Sequence, residues 1–302
     1  MIRSILVPLD GSKFAEAALP LATALADRTK AKLRLLTVHE PRPDLPAGLD
    51  APAVEGENVE LRSAAQAYLS ETADRLGQPG GAPPRAELID GAPGPGLVEA
   101  VGRFRPDLVV MATHGRGPMS RFWLGSVADH FIRHGTTPVL LVRPGKAEPP
   151  SAVRKVLAAV DLSDESARIL DAAGALARAF EAELVLYHVV EPLVGMVDGA
   201  LPFPMPVAPG SLDRAKDEAN RRMAELGRLA AERGLTAEVR VVTGVGAAAS
   251  ILEEAREGYD LIAMTTHGAG GVRRLLLGSV ADKVIRASEL PVLVFRGETP
   301  PA

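Results

Sequence analysis

Asp107-Leu108-Val109-Val110-Met111-Ala112-Thr113-His114-Gly115 returns later in the chain as Asp260-Leu261-Ile262-Ala263-Met264-Thr265-Thr266-His267-Gly268. Each copy runs on through a second shared block, Leu124-Gly125-Ser126-Val127-Ala128-Asp129 and Leu277-Gly278-Ser279-Val280-Ala281-Asp282. Both end at a Pro-Val-Leu triplet, Pro138–Leu140 and Pro291–Leu293. At a constant offset of 153 the windows 107–143 and 260–296 share 20 of 37 positions, far above chance. An internal repeat of this kind divides a chain of 302 residues into two domains. We place them at 1–146 and 151–302. Between them Pro144-Gly145-Lys146-Ala147-Glu148-Pro149-Pro150-Ser151 reads as a semi-rigid linker.

Working outward from the repeat, each half alternates strand and helix patterns. Ser4–Leu9 is an apolar run stopped by Asp10-Gly11-Ser12, a turn and helix-cap cluster. Apolar residues then recur at helical spacing from Phe14 to Ala26. The pattern goes on with a strand over Lys32–Val38, a Pro- and Gly-rich loop over 41–57, a helix over Asn58–Leu76 and a strand over Arg85–Ile89. A short helix over Leu97–Phe104, a strand over Leu108–Ala112, a helix over Ser126–His134 and a strand over Pro138–Val142 complete the half.

The second half offers strands over Lys155–Val160, Glu183–Val189, Ala237–Val242, Leu261–Thr265 and Pro291–Phe295. Helices are expected over Ser163–Phe180 and Ser211–Arg233, with a Pro-rich loop over 192–210. Strand–helix–strand units build parallel sheets. The expected fold is therefore α/β: two tandem Rossmann-like domains, each a five-stranded parallel sheet with helices on both faces. Such sheets bind ligands beyond the carboxyl ends of their strands, where the strand order reverses. If the first and fourth strands are neighbours, Asp10 and the His114-Gly115 turn share a crevice, as do Asp161 and His267-Gly268.

Bulk composition narrows the function classes. A hydrophobic fraction of 47% with 24% charged residues is that of a globular protein. The chain has no cysteine, which removes disulfides and thiolate metal sites and fits a reducing compartment. Met1–Pro8 is too short an apolar run for a signal peptide, and no window approaches 18 uninterrupted apolar residues. The default location is the cytoplasm, with no membrane partner. A net charge of −4 argues against a broad nucleic-acid surface. It leaves room for a small anion site built from backbone N–H groups.

The repeated segment has the parts of such a site. Glycines at Gly115 and Gly125 let backbone N–H groups approach an anion without an intervening Cβ. Gly125 stands at a helix start, whose unpaired N–H groups and partial positive charge favour phosphate. Ser126 is expected to cap that helix and to offer its hydroxyl to a phosphate oxygen. Gly268, Gly278 and Ser279 supply the same set in the second half. Asp10 and Asp161 stand where a carboxylate could accept ribose hydroxyls or help hold a metal ion; each could also be a plain N-cap. Val38 and Val189, at the second strand ends, would lie beside a base. Arg116 and Arg121 could contact phosphates, and the second loop carries Ala269 but also Arg273 and Arg274. A lone histidine per loop, with no second ligand at chelating spacing, reads as a turn residue. Trp123, the one tryptophan, reads as packing or an inter-domain contact and not as a platform for a base.

On these motifs the chain resembles the universal stress protein family, over nearly the whole of both halves. The ATP-binding branch of that family carries Gly, two residues, Gly, nine residues, then Gly-Ser or Gly-Thr. Gly115 and Gly125-Ser126 are separated by nine residues, as are Gly268 and Gly278-Ser279. The leading glycine is replaced by Ala112 in one half and Thr265 in the other, both small. The resemblance implies two sites for an adenine nucleotide, ATP first, with Mg2+ or Mn2+ held through its phosphates near Asp10 and Asp161. In the first half it implies contacts from Pro8, Leu9, Asp10, Val38, Ala112, His114, Gly115, Arg116, Gly125, Ser126 and Val127. In the second it implies Ala159, Val160, Asp161, Val189, Thr265, His267, Gly268, Gly278, Ser279 and Val280. It further implies an intramolecular pseudo-dimer through the last strand of each half, with homodimers a further option.

Three functions fit these residues. The first is a nucleotide-binding regulatory or stress-response protein. The second is a slow ATP hydrolase or phosphotransferase, with no catalytic residue assigned. The chain lacks the Gly-Lys-Ser/Thr of a phosphate-neutralising loop, and the arcs 116–124 and 269–277 contain no Asp, Glu or Lys. The third is an interaction module with a degenerate site.

Overall fold

The computed structural model describes residues 1–41, 51–77, 83–113, 124–145, 151–163, 167–192, 210–266 and 277–295. It divides into two compact units, Met1–Ala152 and Val153–Ala302. In the first unit the order is β1 (Ser4–Pro8), a 3-10 turn (Ala15–Ala18), α1 (Leu19–Thr29), β2 (Lys32–His39), α2 (Ala51–Leu76) and β3 (Arg85–Asp90). There follow α3 (Pro93–Phe104), β4 (Leu108–Ala112), α4 (Ser126–His134) and β5 (Val139–Val142). These strands pair in parallel in the order β3-β2-β1-β4-β5.

The second unit holds β6 (Lys155–Ala159), α5 (Ile169–Phe180), β7 (Glu183–Val190), α6 (Ser211–Glu232) and β8 (Ala237–Thr243). It is completed by α7 (Ala247–Glu254), β9 (Leu261–Thr265), α8 (Ser279–Ala287) and β10 (Val292–Phe295). Its order is β8-β7-β6-β9-β10, again parallel.

This order explains why helices cover both faces. Right-handed crossovers from β1 outward to β3 put α1 and α2 on one face. The reversal from β3 back across to β4 puts α3 and α4 on the other. On the first face, the Tyr68 hydroxyl of α2 donates to Glu16 of the 3-10 turn at 3.1 Å. On the second, α3 and α4 approach so closely at Gly94 that a Cβ there would stand 2.9 Å from Cγ of His130. Between the layers the central strands are apolar through their middles. Ile5, Leu6, Val7, Val109 and Val110 are fully buried, and Val156, Leu157, Ile262 and Ala263 match them in the second unit. Strands covered on both faces read as unbroken apolar runs, which is why the sequence pattern bounds β4 and β9 without error.

Several expectations differ from the structure, among them the helix expected from Ser163, which begins at Ile169. The helix expected from Asn58 begins at Ala51, so 51–57 are helix and not loop. Pro52 falls in its first turn, where a missing N–H has no intrahelical partner to lose, and Gly56 meets nothing within 4 Å. The helix expected from Leu97 begins at Pro93. Its Pro-Gly-Pro-Gly start looks like a loop in sequence. Its prolines also occupy first-turn positions, and its glycines make room for neighbours: a Cβ on Gly96 would stand 2.7 Å from Cγ1 of Val38. Last, α7 is an element that the sequence pattern does not mark. The loops proposed within 41–57 and 192–210 lie outside the described residues over 42–50 and 193–209, and the linker over 146–150. Among the described residues no helix is long and apolar enough to cross a membrane.

Candidate functional site

The pairing of β1 with β4 places the reversal of strand order between them, and with it a crevice above their carboxyl ends. Pro8, Leu9 and Asp10 stand at the end of β1 on one side of the reversal; Ala112 and Thr113 stand at the end of β4 on the other. In the second unit β6 pairs with β9, so Ala159, Val160 and Asp161 face Thr265 and Thr266 in the same way.

Asp10 holds a turn. Its Oδ1 accepts the Ser12 N–H at 2.9 Å and the Ser12 hydroxyl at 2.6 Å. Ser12 Oγ in turn accepts the Ala15 N–H at 3.1 Å, at the start of the 3-10 turn. Capping therefore belongs to Ser12, and the plain N-cap reading of Asp10 is corrected. In the second unit Asp161 Oδ1 accepts the Ser163 N–H at 3.1 Å and its hydroxyl at 2.8 Å.

The turn is also latched to the second strand. The Leu9 N–H donates to Leu36 O at 2.8 Å, and the buried Thr37 hydroxyl donates to Leu9 O at 2.9 Å. Val160 N–H donates to Tyr187 O at 2.9 Å, and His188 Nδ1 lies 2.7 Å from Val160 O. A carbonyl only accepts, so His188 Nδ1 carries the proton. Val38 follows Thr37 as the penultimate residue of β2, in register with Ile89 and packed against Gly96. Val189 is its counterpart, in register with Val242.

The loop between β4 and α4 is closed at its base. The Thr113 N–H donates to Val142 O at 2.9 Å, continuing the sheet by one residue, and the Gly125 N–H donates to Thr113 O at 2.7 Å. Gly125 O then accepts the Asp129 N–H at 2.9 Å, the first bond of α4. The second unit repeats the clamp through Thr266 N to Phe295 O at 3.1 Å, Gly278 N to Thr266 O at 2.8 Å and Asp282 N to Gly278 O at 2.9 Å. The arcs 114–123 and 267–276 leave and return at these clamps. They lie outside the described residues, and with them His114, Gly115, Arg116, Arg121, Trp123, His267, Gly268, Ala269, Arg273 and Arg274.

Two expectations about the helix start are refined. Gly125 is the N-cap of α4, with φ −58° and ψ 147°, and Gly278 the N-cap of α8, with φ −59° and ψ 145°. Any residue adopts these angles, so the glycines are not required by a left-handed turn. Ser126 and Ser279 are then first helical residues and not the caps that the sequence suggests. Both are exposed, and so their hydroxyls and the first-turn N–H groups, with Val127 and Val280 next in line, face outward at the end of the helix dipole. The replaced glycines fall in regular strand: Ala112 is in register with Val142, and Thr265 with Phe295. A side chain at either position breaks no turn.

Some repeated residues prove to be scaffold. Asp107 Oδ2 accepts the N–H groups of Arg3 at 2.8 Å and Ser4 at 3.0 Å, tying β4 to β1 at the end of the sheet away from the crevice. Asp260 does the same for Arg154 at 2.7 Å and Lys155 at 3.1 Å. Asp129–Arg133 and Asp282–Arg286 are helix-surface ion pairs, each 2.8 Å long. Sequence reasoning missed the clamping threonines, the latch at Thr37 and His188, and the role of Ser12 and Ser163. The identity of Thr113 with Thr266, and the shared Asp-x-Ser, are the signals that could have found two of these.

The donor set suits an anionic ligand better than a bare metal. Among the described residues, no group of three or more His, Cys, Asp or Glu side chains gathers to hold an ion. Among the described residues, the ends of β1 and β6 bring one carboxylate each, Asp10 and Asp161, too few to hold Mg2+ or Mn2+ without further ligands.

Comparison with known proteins gives the family. The family model described as the universal stress protein family matches residues 1–143 and 152–296. Universal stress protein YxiE of Bacillus subtilis (strain 168) is 36% identical over 146 residues, which are 47% of this chain and 98% of that protein. A universal stress protein of Mycolicibacterium smegmatis is 28% identical over 298 residues, 97% of this chain and 96% of the relative. The crystal structure of a universal stress protein from Archaeoglobus fulgidus shares the fold with a TM-score of 0.69 at 22% identity, over 98% of both chains.

Proposed function

The chain belongs to the universal stress protein family, both halves matching its model, and from that premise we propose that each half binds an adenine nucleotide, ATP first among them, and that the protein acts as a nucleotide-dependent regulator. The observation that carries this reading is the clamp, Gly125 N to Thr113 O at 2.7 Å and Gly278 N to Thr266 O at 2.8 Å. It brings a strand end, a loop base and an open helix N-terminus to one place in both units. A phosphate chain laid there meets backbone N–H groups and the positive end of a helix dipole. The sugar end then lies towards Asp10 or Asp161, and the base towards Val38 or Val189. Mg2+ or Mn2+ enters with the phosphates.

This arrangement supports binding more than turnover. The arcs contain no Asp, Glu or Lys, so neither a general base nor a neutralising lysine lies within them. Slow hydrolysis is the second reading, and the strand-end carboxylate that each half carries, Asp10 in one and Asp161 in the other, is the observation that favours it.

The test is to denature freshly purified protein and to identify released adenine nucleotide by absorbance and mass. ATP recovered intact supports the regulator. ADP recovered after incubation with ATP transfers the case to the hydrolase. Empty protein without affinity for added ATP defeats both.

A further inference from the structure

The two halves support the valine at the second strand end in different ways. In the first, Val38 lies against α3 itself, since a Cβ on Gly96 would stand 2.7 Å from its Cγ1. In the second, Val189 lies against the turn that leads into α7. A Cβ on Gly244 would stand 3.4 Å from Cγ1 of Val189 and would collide with Oγ of Ser250 in α7. One backbone bond ties each turn to the strand before it, Gly91 N to His39 O at 2.9 Å and Gly244 N to Val190 O at 3.2 Å. Past that bond the halves diverge. Helix α3 starts with Pro93, whose ring fixes φ and whose missing N–H needs no partner. Helix α7 starts with Ala247 after Gly246, which takes φ 91° and ψ 97°. Glycine loses more backbone freedom than any other residue when it is held in one conformation. The Glu191 carboxylate, two residues beyond Val189, supplies the hold: its Oε1 accepts the Ala247 N–H at 2.8 Å. The bond is charge-assisted and lies at the positive end of the helix dipole. Glu40 follows Val38 at the same spacing, but Pro93 has no N–H to give it.

We propose that Glu191 is a positioning residue of the second nucleotide site, a role that rests on the nucleotide reading above. By pinning the start of α7 to the end of β7, it fixes the turn from Gly244 to Ala247 behind Val189. It thereby sets the wall against which an adenine base packs. Glu191 acts through that turn and does not itself touch the ligand. Without the pin the turn is free to sample other arrangements, and binding has to reorder it at a cost in affinity. The first half needs no counterpart, because a proline at the helix start does covalently what the carboxylate does by hydrogen bond.

The experiment measures ATP affinity of the second half by calorimetry, in full-length protein carrying Gly125→Val. Glu191→Ala should weaken ATP by about fivefold, and Glu191→Gln, which keeps an acceptor, should recover most of the loss. Ala247→Pro gives the second half the helix start of the first. With it in place, Glu191→Ala should change ATP affinity by less than about twofold. Competition by inorganic tripolyphosphate, which has no base, should be the same in every variant. Glu40→Ala, read in Gly278→Val protein, should leave ATP affinity unchanged. Should Glu191→Ala melt early by circular dichroism, the comparison of Ala247→Pro with and without Glu191→Ala decides. ATP affinity that is indifferent to the Glu191 carboxylate, or parallel losses of ATP and tripolyphosphate, would overturn the proposal and leave the nucleotide reading standing. No ATP binding to the Gly125→Val protein would overturn both.

Discussion

The two halves build one turn from different residues. In the first, Gly11 takes φ 81° between Asp10 and Ser12; in the second, Leu162 takes φ 60° between Asp161 and Ser163. In the first, a threonine hydroxyl latches the turn to the second strand; in the second, a histidine ring does so. The flanking Asp and Ser do not change, and their hydrogen bonds of 2.9 and 2.6 Å in the first half become 3.1 and 2.8 Å in the second. What the two copies preserve is therefore a backbone path and one carboxylate with its serine. The residue that only has to reach the left-handed region, or only has to donate one hydrogen bond, is free to differ. Identity between the copies is a poorer guide. Asp107 recurs because it ties two strands at the far end of the sheet, and Asp129 and Arg133 because they pair along a helix.

The largest break in this equivalence should come from Gly125→Val or Gly278→Val. Backbone angles at both positions accept valine, so the fold is retained while a branched side chain enters the anion site. Nucleotide binding should disappear from the altered half alone, as read by the nucleotide recovered per chain. Next comes the turn itself. Gly11→Ala imposes on the first half the left-handed cost that Leu162 already bears, about 1–2 kcal/mol of stability. Leu162→Gly removes that cost but returns about 0.5–1 kcal/mol through a more flexible unfolded chain, for a small net gain. Denaturant midpoints should therefore move in opposite directions; parallel movement would refute the strain argument.

The latches come third. Thr37→Val leaves the Leu9 carbonyl without its side-chain donor and should cost about 1 kcal/mol in chemical denaturation. His188→Phe should cost the second half a similar amount.

The smallest effect is alkaline. Burial and the Glu16 carboxylate push the Tyr68 hydroxyl up to about 12. Burial and Glu254, which accepts the hydroxyl at 2.9 Å, raise that of Tyr259. A raised folded value means that the neutral hydroxyl is favoured by folding. Its contribution is whole below about pH 10, the unfolded value. It is lost as pH climbs towards the folded one. Melting temperatures should fall over that range, and less steeply in Tyr68→Phe; a fall that begins near neutrality would not come from these groups.

How far the sequence led depended on burial and on breakers. The strands Leu108–Ala112 and Leu261–Thr265 were legible to the residue because both faces are covered and the run up to Ala112 or Met264 is apolar throughout. Helix α4 was legible from its Gly-Ser start, though the serine proved to be one place past the cap. Helices α2 and α3 were cut short because Pro52, Gly56 and the Pro-Gly-Pro-Gly start at Pro93 carry the marks of a loop. Only the packed neighbours, Val38 and His130, show why glycine belongs inside a helix at Gly96 and Gly94. Of the candidate site, Asp10, Asp161, Gly125 and Gly278 were visible as a pattern. The clamps through Thr113 and Thr266 were not, because a backbone hydrogen bond leaves no mark on residue type beyond the repeat itself.

The central claim is that both halves carry equivalent nucleotide sites. Calorimetric titration of nucleotide-free protein with ATP tests it most directly, with Gly125→Val, Gly278→Val and their combination alongside. The account predicts two nucleotides bound per wild-type chain, one for each single variant and none for the double. Wild type without binding heat, or a stoichiometry that neither substitution changes, would contradict it.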